Sequence, residues 1–216
     1  MGYKTERELQ SRTLLKEGDY KSIKDMLERI NRYIPDHKIL AELNESNESV
    51  YHTASKIYEE VMNLGDGLLQ AGFKDNHIAI VSENCYRYVI ADICISSGVG
   101  VVTPIDVNAP AELMSTLLNK CDADAVLCGA AQAEKLQEIM KDCPRLKRII
   151  TIDRKKDDLP SYTELLENGR KMKEESIYRN MKLDLDAPAK ILFTSGTTGA
   201  NKGVVLSNAN LAANTM

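Results

Sequence analysis

The run Thr194-Ser195-Gly196-Thr197-Thr198-Gly199-Ala200-Asn201-Lys202 gathers four hydroxyl side chains, two glycines and one cation within nine positions. Gly196 and Gly199 allow positive φ, so successive backbone N–H groups can turn toward one point. A concavity of N–H donors of that kind binds anions. Ser195, Thr197 and Thr198 add hydroxyl donors, and Lys202 adds a charge suited to phosphate oxygens. The chemistry these types and spacings describe is phosphate binding. They do not form the common P-loop, which ends in Gly-Lys-Ser/Thr and runs into a helix. Here Lys202 lies between Asn201 and Gly203, and the apolar run Val204-Val205-Leu206 follows. The same residues also fit a Gly/Thr-rich hairpin turn with a solvated lysine, and spacing alone leaves both readings open.

The elements that must position this loop are strands. Residues 191–193 and 204–206 are short apolar runs on either side of it. Upstream, strands and helices alternate. Strands are expected at 77–81, 100–105, 123–128 and 147–152, with helices at 85–96, 110–121 and 131–141 between and after them. Such alternation implies parallel strands joined by right-handed crossovers. The fold class is therefore α/β, doubly wound, with a mostly parallel sheet flanked by helices.

The first part of the chain reads differently. Residues 1–20 are polar and charged, an arm. Ser22 can cap a helix carrying Ile23, Met26, Leu27 and Ile30 at helical spacing, with Pro35 beyond its end. Strands are expected at 38–43 and 50–52. Thr53 caps the strongest helix, whose face is Ile57, Val61, Leu64 and Leu68 and which Gly72 closes. His52, just before that cap, reads as a packing residue. Residues 153–186 are rich in Lys, Asp and Glu with one helix at 161–173, and read as a solvated linking region. Ser207 caps a last helix begun by Asn208.

Composition narrows the class. The 216 residues are 43% hydrophobic and 28% charged, enough for one α/β domain with a core. With 28 basic against 32 acidic residues the net charge is −4, and no basic block appears, so nucleic acid is not an expected partner. No apolar run approaches the roughly 20 residues of a membrane helix. The N-terminus lacks a signal-peptide core, and Glu6 stands where myristoylation wants Ser or Thr. The expected location is the cytoplasm. Cys85, Cys94, Cys121, Cys128 and Cys143 form no Cys-x-x-Cys pair, and His37, His52 and His77 are scattered, so no metal site is expected.

The stretch from Phe193 to Val204 closely resembles the signature of the adenylate-forming (AMP-binding) enzymes, Tyr/Phe-Thr-Ser-Gly-Thr-Thr-Gly-x-Pro-Lys-Gly-Val. That family includes acyl-CoA synthetases, luciferases and the adenylation domains of peptide synthetases. Asn201 stands where the family usually has proline, which implies a looser loop, since proline would fix φ. Ser82-Glu83-Asn84 followed by Tyr88-Val89-Ile90-Ala91-Asp92 is similar to the long-chain acyl-CoA synthetase pattern Ser-Glu-Asn-x-x-x-Trp-Val-x-x-Asp, with Tyr88 replacing tryptophan. Residues 98–106 resemble a third family segment. These last two are framework and carry no assigned chemistry. The similarity runs from about residue 22 to 216.

The resemblance implies a parent reaction in which a carboxylate attacks the α-phosphorus of ATP, releasing pyrophosphate, and CoA then takes the acyl group. It implies Ser195, Gly196, Thr197, Thr198 and Gly199 around the β- and γ-phosphates, Lys202 as cation and Thr194 close by. Mg²⁺ would arrive with the nucleotide. The acid is expected to be a fatty acid, and a peptide-synthetase-type adenylation domain or a non-catalytic nucleotide-binding module is the alternative. Family members continue well past the equivalent of Met216, through the adenine contacts, most of the acyl pocket and a mobile C-terminal domain. The chain is thus expected to be the N-terminal part of the AMP-binding domain: arm 1–20, α/β core 21–152, charged linking region 153–186, and phosphate loop with the next helix 187–216. No catalytic residue is assigned within it, and alone it is expected to be inactive and to associate as a homodimer through its C-terminal face.

Overall fold

The computed structural model describes residues 20–44, 46–156, 158–195 and 201–215. Helix α1 (Ile23–Tyr33) starts at Ser22, whose hydroxyl accepts from the Asp25 N–H at 3.0 Å. Strands β1 (Lys38–Leu43) and β2 (Ser49–Thr53) form an antiparallel hairpin of their own. Helix α2 (Ala54–Gln70) is capped by Thr53, and Gly72 turns the chain out of it at φ 80°, where a Cβ would be strained.

The main sheet follows. Strand β3 (Asn76–Val81) leads through α3 (Tyr86–Cys94) to β4 (Gly100–Pro104), then through α4 (Ala111–Lys120) to β5 (Ala125–Cys128). Helix α5 (Ala133–Ile139) precedes β6 (Arg148–Thr151), and α6 (Tyr162–Arg170) and α7 (Ile177–Asn180) precede β7 (Pro188–Ser195). Strand β8 (Asn201–Ser207) and helix α8 (Asn208–Ala213) end the described chain. The strand order is β6-β5-β3-β4-β7-β8, parallel except for the antiparallel edge strand β8.

Alternation along the strands explains the three layers. Ile78, Ile80, Val102, Leu127 and Ile150 face α2, α3, α6 and α7, while Ala79, Val81, Val126, Cys128 and Ile149 face α4 and α5. Both faces are covered, which is why these strands read as continuous apolar runs. The doubly wound, mostly parallel sheet is as the sequence implies. Helix α3 runs on into a π-helical turn (Ile95–Val99), so helical backbone reaches the expected end near residue 96 before Ser97 and Gly98, the latter at φ 137°, turn the chain toward β4.

Residues 153–186 differ from their reading as a solvated region. Tyr162, Leu165, Leu166 and Tyr178 are buried in the core against α2. The reason lies in glycines. A Cβ on Gly67 would stand 1.9 Å from the Leu165 carbonyl oxygen, one on Gly169 1.7 Å from that of Asn63, and one on Gly65 2.3 Å from the Tyr178 ring. Helices α2 and α6 therefore meet backbone to backbone. Two mid-helix glycines cost about 1 kcal/mol each in propensity, and the close crossing they permit offsets it.

Candidate functional site: the β7–β8 hairpin

The phosphate-loop residues are split by the described boundary. Gly196, Thr197, Thr198 and Gly199 lie outside the described residues, as does the side chain of Ser195. What the structure places is the frame on which they hang. In the antiparallel register Ser195 stands opposite Asn201 and Thr194 directly opposite Lys202. Directly opposite residues have Cβ atoms about 4.5–5.5 Å apart on one face. Thr194 and Lys202 are both exposed. A hydroxyl-bearing and an ammonium-bearing residue are thus neighbours on one face of the hairpin.

Four features fix this frame. Ile191 and Phe193 point to the other face of the hairpin and pack on the α4–α5 side of the core. Gly203 lets the Phe193 ring lie on β8, since a Cβ there would come within 3.3 Å of its edge. Lys190 Nζ sits 2.7 Å from Asp92 Oδ2 of α3, with side-chain exposures of 16% and 18%. The only β4–β7 register pair is Val102 with Lys190, so that ion pair anchors β7 where its ladder to the sheet is shortest. Lys120, at the end of α4, donates to the Asn201 carbonyl at 3.2 Å.

Histidine 52 is a packing residue, as expected. It is 3% exposed, stacks on Tyr86 with ring centroids 3.7 Å apart, and has Glu42 at 2.9 Å and Lys56 at 3.0 Å on its two nitrogens. Tyr86 also donates its hydroxyl to Glu60, and burial with that carboxylate drives its pKa far up. The thiols of Cys94 and Cys128 are fully buried. Among the described residues no group of three or more His, Cys, Asp or Glu is placed to hold a metal ion. Sequence reasoning gave Ser82, Glu83 and Asn84 no chemistry. The structure lines a cavity of about 360 Å³ with them and with Tyr88, Asp106 and Asn108. It opens where the chain leaves β3 toward one face and β4 toward the other, a position open α/β sheets favour for ligands. Its charged side chains are acidic, so it does not suit phosphate. The signal was topological: two successive strands whose helices lie on opposite faces.

The AMP-binding enzyme family matches residues 27–216. The chain belongs to that family. It is 29% identical over 164 residues to long-chain-fatty-acid–CoA ligase 5 of Rattus norvegicus, covering 70% of this chain and 24% of that protein. It is 26% identical over 174 residues to long chain acyl-CoA synthetase 8 of Arabidopsis thaliana, covering 76% of this chain and 24% of the relative. The chain thus spans about a quarter of the length of these curated relatives. In fold it resembles a long-chain-fatty-acid–CoA ligase from Archaeoglobus fulgidus, with TM-score 0.74, 19% identity, and coverage of 89% of this chain and 38% of that one. It also resembles the A-PCP didomain of a carboxylic acid reductase from Segniliparus rugosus in complex with AMP. There the TM-score is 0.76 and the identity 13%, with coverage of 95% and 34%. The adenylate-forming fold expected from the motif is the fold observed.

Proposed function

We propose that this chain is the phosphate-binding part of an ATP-dependent ligase that activates a carboxylic acid, a fatty acid in the first instance. The observation that carries the reading is the pairing of Thr194 with Lys202 at the base of the Gly196–Gly199 loop, within a chain that belongs to the AMP-binding enzymes. The names of the curated relatives, long-chain fatty-acid–CoA ligases and synthetases, support the substrate class.

In the first step a carboxylate oxygen bonds to the α-phosphorus, the bond from that phosphorus to the bridging oxygen breaks, and pyrophosphate leaves. In the second, the CoA sulfur attacks the acyl carbon, its proton passing to solvent, and AMP leaves with the carboxylate oxygen. Charge gathers on the departing pyrophosphate in step one. Donors fixed before the reaction at those oxygens lower its barrier. Lys202 supplies the cation, Thr194 a hydroxyl, and Ser195, Gly196, Thr197, Thr198 and Gly199 the surrounding donors. Mg²⁺, a hard cation that takes oxygen ligands, would come with the nucleotide and offset phosphate charge beside Lys202. No proton transfer is assigned to this chain.

The test is a titration of the labelled chain with Mg-ATP and with pyrophosphate, followed by backbone amide shifts. Shifts confined to residues 194–203, weakened by Lys202→Ala by about tenfold or more as a charge-assisted contact requires, support the reading. A hairpin whose amides do not respond overturns it. Carboxylate-dependent pyrophosphate exchange in a longer form of the protein separates a ligase from a nucleotide-binding module, and amino-acid dependence would favour a peptide-synthetase type.

Two further assignments belong to the same proposal. A cytoplasmic location accords with five free cysteines and is checked by cell fractionation. Homodimerisation accords with the outer edge of β8, which no strand among the described residues pairs and where Val204 is 45% and Val205 55% exposed. Light scattering at micromolar concentration decides it, a monomer refuting it.

A further inference from the structure

The hairpin that carries the loop is held at both ends by residues 20–24, far from it in sequence. Lys24 of α1 is 3% exposed. Its ammonium donates to the carbonyl oxygens of Tyr178, Arg179 and Met181 at 2.6, 3.3 and 3.4 Å, at and just beyond the C-terminal end of α7. The Tyr178 ring lies 4.9 Å from the same nitrogen. At the other end of α7, Asp66 of α2 accepts from the Ser176 hydroxyl and from the Tyr178 N–H at 2.9 Å. A short helix thus has a carboxylate at its positive end and an ammonium at its negative end. This fixes the segment that feeds β7.

The segment that leaves β8 is fixed by the same region. Tyr20, 4% exposed, shares a hydrogen bond of 3.0 Å between its hydroxyl and that of Thr215, just past α8. The N–H of Ala209 in α8 donates to the Leu185 carbonyl at 2.9 Å, tying the outgoing segment to the incoming one. Between these two fastenings, β7 meets β4 by a single register pair.

We propose that Tyr20 and Lys24 are positioning residues for the phosphate-binding hairpin, with the start of α1 acting as a clasp on the chain that enters and leaves it. The consequence for phosphate rests on the function proposed above; the mechanical claim does not. Loosening the clasp lets β7 and β8 open locally while β3 and β5, in the middle of the sheet, stay closed.

The experiment is hydrogen exchange on Lys24→Met and Tyr20→Phe, with Lys24→Arg as the charge-conserving variant, together with pyrophosphate titration. Lys24→Met is expected to speed exchange of amides in 183–195 and 201–215 by about tenfold or more relative to β3 and β5, as selective loss of local stability requires. Tyr20→Phe produces the same pattern, smaller and strongest at 208–215, and Lys24→Arg restores part of the protection. The pyrophosphate dissociation constant rises in step with the local exchange rate. Loss of protection spread evenly over the molecule, or none in either region, overturns the clasp. Should Lys24→Met fail to fold, Tyr20→Phe alone decides, since it removes one hydroxyl. A hairpin that opens selectively in a protein whose wild type does not bind pyrophosphate leaves the clasp standing and removes the phosphate reading.

Discussion

Removing the Lys190 ammonium tests how the loop-bearing strand is held. Lys190→Met keeps the aliphatic stem but leaves the Asp92 carboxylate without its partner at 2.7 Å. The other oxygen, Oδ1, is buried and has no hydrogen-bond partner among the described residues. An exposed pair is worth about 0.2–1 kcal/mol, whereas breaking a buried one costs about 3–5. With 16% and 18% of the side chains exposed, this pair lies nearer the buried limit but keeps some solvent screening. The expected loss is about 2–3 kcal/mol, read as a lower urea midpoint at unchanged slope. Asp92→Asn should cost less, about 1 kcal/mol, because the long lysine stem can carry its ammonium toward water. Lys190→Met combined with Asp92→Leu should recover most of the loss, as apolar replacement of a whole pair often does. The double-mutant cycle of Lys190→Met and Asp92→Leu, with each measured alone and together, is the assay. Effects that add to within about 0.5 kcal/mol would mean that the two groups do not interact, and the anchoring of β7 by this pair would be refuted.

Three further outcomes are expected. Gly67→Ala should destabilise by about 2–4 kcal/mol although alanine favours helix, because its Cβ would stand 1.9 Å from the Leu165 carbonyl; a neutral urea midpoint would contradict the backbone crossing. In the native protein a thiol reagent should label Cys85 promptly and the four buried cysteines only on unfolding, a count that mass spectrometry checks. Burial pushes the Cys121 thiol up to about 11 and that of Cys128 up to about 12, so the thiols ionise in the unfolded chain first. Their contribution is complete below the unfolded thiol pKa and is lost, by about 1.4 kcal/mol per pH unit for each group, as pH rises from about 9 to about 11 for Cys121 and to about 12 for Cys128; Cys128→Ala should flatten that fall.

What the sequence revealed tracks how local each signal is. The hairpin motif spells itself out in consecutive residues, and the alternation of strand and helix from 77 to 152 needs no distant information. Region 153–186 hid its core because Tyr162, Leu165 and Leu166 sit among Lys, Asp and Glu that take the solvent side. Their partner surface lies on α2, about a hundred positions earlier. The legible clue was Gly65 and Gly67 within an otherwise strong helix, which marks a close approach but not by what. Lys24 was still less visible. A lysine on an amphipathic helix reads as surface, and only the tertiary arrangement brings three carbonyls to it.

The bracing of α7 also sets a timetable for the chain. Asp66 binds Ser176 and Tyr178 across separations of 110 and 112 residues, and Lys24 reaches Tyr178 across 154. At about 5–20 residues per second, helix α2 emerges from a ribosome some 5–20 seconds before the segment that covers it. Through that interval Asp66 lacks the partners that satisfy its charge, and the α2 glycines face no backbone. Contacts so distant in sequence are slow to close even in the finished chain. The nascent domain therefore presents an open, apolar α2 flank for longer than its size alone would require, and that flank is where a chaperone would find it.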